Sequence, residues 1–62
     1  MNIKHLRLKA GMTQTDLAKK MRVTQSAVSR WEIGDVSPLP KLHKRLAKVL
    51  GVTVDELLKE AE

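Results

Sequence analysis

The sequence predicts an all-α fold, and three observations carry the prediction. Glycines and side chains with a hydrogen-bonding oxygen recur at the intervals where helices stop and start. The segments between them place apolar residues at helical spacing, and none alternates apolar and polar residues long enough for a strand. With 62 residues the chain has room for one domain, 1–62, and a two-domain enzyme with a cleft between its halves is excluded. The expected architecture is five short helices packed into one core.

The elements follow in order along the chain. Asn2 stands where it can cap a first helix over 2–10, whose stripe is Ile3, Leu6 and Ala10, and Gly11 suits its left-handed end. Thr13-Gln14-Thr15-Asp16 is a capping box with Asp at its third position and opens a second helix over 14–21, with Leu17, Ala18 and Met21 inward. Thr24 caps a third helix over 25–33, closed by Gly34. Ala27, Val28 and Trp31 share one of its faces, so Trp31 is expected to pack in the core instead of stacking on a base. The fourth helix, 39–50, carries Leu39, Leu42, Leu46, Ala47, Val49 and Leu50. Ser37 precedes it as a cap, Pro38 and Pro40 fall in its tolerant first turn, and Gly51 follows. His43 shares the face of Leu46 and Leu50. Thr53-Val54-Asp55-Glu56 is a full capping box for a fifth helix over 54–60. Its apolar residues are Val54, Leu57 and Leu58, and one of the two leucines, with Val54, is expected to face a second subunit. Met12, Val23 and Val52 lie in connections and are expected to plug gaps between helices.

Composition removes several classes of function. Without cysteine there is neither a disulfide nor a thiolate metal site. His5 and His43 have no carboxylate at ligand spacing and no serine in a catalytic context, so no metal, cofactor or catalytic set is expected. All three glycines sit at helix ends, which leaves none for a phosphate-binding loop. A single aromatic residue argues against stacking single-stranded bases. The first residues lack the apolar run of a signal peptide and nothing reaches the length of a membrane span, so a cytoplasmic chain is expected. The net charge of +5 is uneven. Residues 1–50 hold eleven basic and three acidic side chains (+8), and residues 51–62 hold one and four (−3). A polyanion would therefore meet the body of the domain and not its C-terminal end.

Function concentrates around the third helix. Only Met21-Arg22-Val23 separates the second helix from Thr24, and so short a turn makes the two helices cross steeply and leaves one face of the third free. That face reads Gln25, Ser26, Ser29 and Arg30, where an ordinary solvated helix more often carries Glu–Lys pairs. Gln bonds adenine N6 and N7 together, Arg bonds guanine O6 and N7, and Ser bonds a base or a phosphate. For Ser29 a base, a phosphate and plain solvent stand open equally.

Here the chain resembles the phage-repressor and Cro-like helix-turn-helix family, the XRE-type transcriptional regulators. The likeness runs from about Ile3 to Leu58, on Gly11-Met12-Thr13-Gln14-Thr15-Asp16-Leu17-Ala18, on the stretch from Val23-Thr24-Gln25-Ser26 through Trp31-Glu32-Ile33-Gly34, and on that from Leu46-Ala47 to Leu57-Leu58. It implies a lambda-repressor-like domain with its motif at about 14–33, the third helix entering the DNA major groove and the second lying across the backbone. Residue by residue, it implies base reading by Thr24, Gln25, Ser26, Ser29 and Arg30 and a phosphate contact by Gln14. It further implies phosphate contacts by Lys41 and Lys44 at the start of the fourth helix, and a structural ion pair between Arg7 and Glu32. The chain departs from the family at Arg22, where relatives usually have Gly. A positive φ there would cost Arg about 1 kcal/mol relative to Gly. It departs again at Ile33, which replaces a residue that is often polar.

The resulting expectation is a repressor that binds double-stranded operator DNA without a cofactor, through a weak or DNA-assisted homodimer. Two rivals remain: an antitoxin-type autorepressor with a toxin partner, and a protein-interaction module that has lost DNA binding.

Overall fold

A computed structural model describes residues 1–59. Among these the elements are α1 (Ile3–Lys9), α2 (Gln14–Met21), α3 (Gln25–Ile33), a 3-10 turn (Pro40–Leu42), α4 (His43–Leu50) and α5 (Val54–Leu58). No strand occurs among the described residues. The fold is all-helical, and residue 60, expected in the fifth helix, lies outside the described residues.

Local chemistry sets most of the helix ends. At α2 the Asp16 N–H donates to Thr13 Oγ1 (3.0 Å) and the Thr13 N–H donates to Asp16 Oδ2 (2.9 Å). Thr53 and Glu56 repeat this box at α5, and Thr24 Oγ1 accepts from the Ala27 N–H (3.1 Å) at α3. Four connections share one exit geometry. A residue at positive φ turns the chain, and the next N–H reaches back five residues: Met12 to Arg7, Val23 to Ala18, Asp35 to Arg30 and Val52 to Ala47. The turning residues are Gly11, Arg22, Gly34 and Gly51.

Two expected ends differ. Asn2 does not cap α1. With its carboxamide turned toward the carbonyls it meets, it donates to Glu56 O (3.2 Å) and Leu57 O (2.9 Å) and ties the N-terminal residues to α5. The fourth helix does not begin at 39, and Ser37 is no cap. Leu39 precedes a proline and is held extended (φ −57°, ψ 144°), and a 3-10 bond from the Leu42 N–H to Leu39 O (2.8 Å) leads into α4 at His43. The His43 ring is half-buried, with Nε2 3.3 Å from Pro38 O.

Ile3 and Leu6 from α1, Leu17, Ala18 and Met21 from α2, Leu46, Ala47 and Leu50 from α4, and Leu57 from α5 form the buried core. From α3 only Val28 is fully buried, so that helix rests on the core along one narrow line. Met12, Val23, Trp31 and Val52 pack partly buried against the core.

Candidate nucleic-acid interface

The free side of α3 follows from its shallow seating. Thr24, Gln25, Ser26 and Arg30 are exposed and Ser29 is half-exposed. At 100° per residue Gln25, Ser26, Ser29, Arg30 and Ile33 share one face, and Ile33 is 76% exposed in its midst. Its offset of eight residues from Gln25 puts it there.

A chain of hydrogen bonds runs from the domain interior to this face. Arg7, 7% exposed in α1, donates from Nε to Glu32 Oε2 (2.6 Å) and from Nη2 to Glu32 Oε1 (3.1 Å). Its Nη1 donates to Met12 O (2.8 Å), so the guanidinium is held on both sides. Gln14 Nε2 donates to Glu32 Oε1 (3.0 Å), and Gln25 Nε2 donates to Gln14 Oε1 (2.5 Å). Arg7, Glu32, Gln14 and Gln25 are thus linked across α1, α3 and α2. Sequence reasoning placed the Arg7–Glu32 pair and each glutamine singly. The linkage depends on how α2 and α3 cross, which no local pattern encodes.

The pair's electrostatics are settled by these contacts. Its hydrogen bond to Glu32 raises Arg7 above the usual guanidinium range against the opposing effect of burial. Burial pushes the Glu32 carboxyl up, yet hydrogen bonds from Arg7 and Gln14 and the charges of Arg7 and Lys4 outweigh it and leave the group below its ordinary value. Both side chains stay charged at neutral pH.

The linkage leaves defined valences outward. Gln25 uses one amide N–H on Gln14, which leaves its second N–H and its Oε1, the donor–acceptor pair that adenine N7 and N6 require. Gln14 keeps one N–H, suited to a phosphate oxygen. The Thr24 hydroxyl accepts from Ala27 and retains its own proton to donate. Ser26, Ser29 and Arg30 make no side-chain hydrogen bond among the described residues. Lys41, in the 3-10 turn, and Lys44, in the first turn of α4, are exposed cations.

In α5 the two leucines differ. Leu57 is completely buried because α5 lays it between the other helices, so it is not available to a second subunit. Leu58 is 44% exposed, and Val54 is half-buried against the core. Among the described residues no group of acidic or histidine side chains could hold a metal, and no helix is long and apolar enough to cross a membrane.

Two packed helices joined by the three-residue turn 22–24, the second presenting a polar face anchored from behind, define the helix-turn-helix class. The family described as Helix-turn-helix matches residues 3–57. The chain belongs to that family, and its fold is lambda-repressor-like. It is 37% identical over 97% of its length to the HTH-type transcriptional activator BcrR of Enterococcus faecalis, of which it spans 29%. It is 34% identical over 89% of its length to an uncharacterised HTH-type transcriptional regulator of Methanocaldococcus jannaschii, of which it spans 83%. It is 33% identical over 94% of its length to YqaE, an uncharacterised HTH-type transcriptional regulator of Bacillus subtilis, of which it spans 50%.

Proposed function

We propose that residues 1–62 act as one cytoplasmic DNA-binding domain that regulates transcription by reading the major groove of a specific duplex with α3. The observation that carries this reading is the anchored pair Gln14–Gln25. A glutamine held by a neighbour that is itself tied to a buried ion pair meets a base edge with little side-chain freedom left to lose. Gln25, Ser26 and Arg30 read bases, with Thr24 at the helix entrance and Ser29 on a base or a phosphate. Gln14, Lys41 and Lys44 set register on the backbone. Two copies engage a pseudo-palindromic operator, with half-sites ~34 Å apart, through a contact that includes Leu58 and the outer edge of Val54. Repression is the proposed output, because occupancy alone can occlude a promoter whereas activation requires a further contact.

Selection from a random duplex pool tests this. An enriched palindrome with half-sites one helical turn apart is the expected result. An asymmetric consensus would reject the dimer, and no duplex binding even at low salt would reject DNA recognition in favour of a protein-interaction module.

A further inference from the structure

We propose that Arg22, in the turn between α2 and α3, is a DNA phosphate contact retained at the expense of fold stability. The proposal rests on α3 being the helix that enters the groove. Arg22 has φ 59° and ψ 42° and is the only non-glycine residue at positive φ among the described residues. The three other turns with the same reach-back hydrogen bond are built on Gly11, Gly34 and Gly51, at φ 73°, 82° and 74°. Four equivalent positions thus carry three glycines and one arginine, and the arginine is the one beside the recognition helix.

The left-handed conformation disfavours any residue with a Cβ, so something other than the turn must account for the side chain. Packing does not, because Arg22 is exposed. No partner does, because its guanidinium makes no hydrogen bond or ion pair among the described residues. Neutralising the C-terminal end of α2 is already provided for by Lys19 and Lys20 in its last turn. Location does account for it. Arg22 stands two residues, at most ~7 Å along the chain, before Thr24, the cap of α3, and its backbone N–H is tied to Ala18 O and Lys19 O. A fixed backbone with a free, forked cation beside the groove-entering end is suited to a phosphate oxygen. Strain held at an exposed polar position is a recurrent mark of function.

The experiment compares wild type with Arg22→Gly and Arg22→Lys on a labelled random-sequence 30-base-pair duplex and on the selected duplex. Thermal unfolding is followed in parallel. Arg22→Gly is expected to melt higher than wild type, yet to bind both duplexes more weakly and to lower the slope of log affinity against log salt by about 1. Its deficit therefore shrinks about 3.5-fold between 50 and 200 mM salt. Arg22→Lys is expected to keep the slope and gain no stability. If wild type binds but Arg22→Gly shows an unchanged affinity and slope, the phosphate role is overturned while the functional reading stands. A loss confined to the selected duplex would equally overturn it. If wild type binds neither duplex at low salt, the functional reading falls and takes this inference with it.

Discussion

Replacing one member of the Arg7–Glu32 pair is expected to damage the domain more than replacing both. The Arg7 and Glu32 side chains are 8% and 3% exposed, so neither charge can recover its hydration when the other is removed. Glu32→Leu leaves the guanidinium with Met12 O as its one acceptor and strips Gln14 of its anchor. Loss of one partner of a buried pair costs about 3–5 kcal/mol. A domain of 62 residues has roughly 3–9 kcal/mol of stability in total at the usual value per residue, so Glu32→Leu and Arg7→Met should each lose at least about a third of it. The double variant buries two apolar side chains of similar volume and no orphaned charge. It should therefore lie within about 2 kcal/mol of wild type.

Urea unfolding at pH 7, followed by far-ultraviolet circular dichroism and by Trp31 fluorescence, measures all four proteins. Additive single losses, or single variants within about 1 kcal/mol of wild type, would refute the claim that burial makes the pair interdependent. The folded double variant also separates stability from recognition. It lacks the carboxylate that holds Gln14, and through it Gln25, so two side chains must be ordered on binding at roughly 0.5–1.5 kcal/mol each. Its affinity for the selected duplex should fall by about fivefold to about 150-fold, while random duplex, which takes no base contact from Gln25, loses less.

Three further outcomes follow from the same geometry. Arg30→Ala should cost about 1–3 kcal/mol on the selected duplex and relax preference at one base pair, whereas Lys41→Ala should weaken all duplexes alike and lower the salt slope by about 1; fluorescence anisotropy against cognate and random duplexes distinguishes them. Glu32 and Asp16 both have carboxyl groups held below their ordinary values, Glu32 by Arg7 and Gln14 against burial and Asp16 chiefly by the backbone N–H of Thr13. Their contribution to stability is therefore complete above about pH 4–5, the unfolded carboxylate range, and is lost as pH falls through their lower folded values; melting curves from pH 7 to 2 should show this loss, and it should be smaller in Asp16→Asn and in the Arg7→Met/Glu32→Leu protein. Leu57→Ala should cost about 2–5 kcal/mol by opening a cavity, while Leu58→Ala should stay within about 0.5 kcal/mol in unfolding and weaken pairing of two copies on the operator, as read by sedimentation with and without duplex.

What was legible in the sequence was local. Thr13 with Asp16, Thr53 with Glu56, and the three glycines announce helix ends because each motif closes within a few residues, and the apolar stripes announce inward faces because their period is that of the helix. What escapes a local reading lies where a residue's partner is distant. Asn2 resembles a cap, yet its amide bonds carbonyls of Glu56 and Leu57 at the far end of the chain. Leu57 and Leu58 are chemically equivalent neighbours, and only the packing of α5 decides that the first is buried and the second exposed. Pro40 does lie near a helix start, but a proline holds the residue before it out of helical geometry, so Leu39 is extended and the α-helix begins at His43 behind a 3-10 turn.

The candidate site divides along the same line, and the division bears on how recognition works. The exposed residues of α3 can be read from their offsets, because which side of a helix faces solvent is a periodic property. The attachment of Gln25 through Gln14 to Glu32 cannot, because it requires α2 to cross α3 at an angle that brings residues eleven and eighteen apart within 3.0 Å. The legible residues supply hydrogen-bonding groups that many exposed helices possess. The anchoring fixes the direction in which one of them points before DNA arrives, and it is drawn from a charge pair that costs about 3–5 kcal/mol when either member alone is removed. On the proposed reading, selectivity at Gln25 and stability of the fold are therefore coupled through Glu32, whereas Arg30, whose side chain has no hydrogen-bond or ion-pair partner among the described residues, can be exchanged to alter base preference without that penalty.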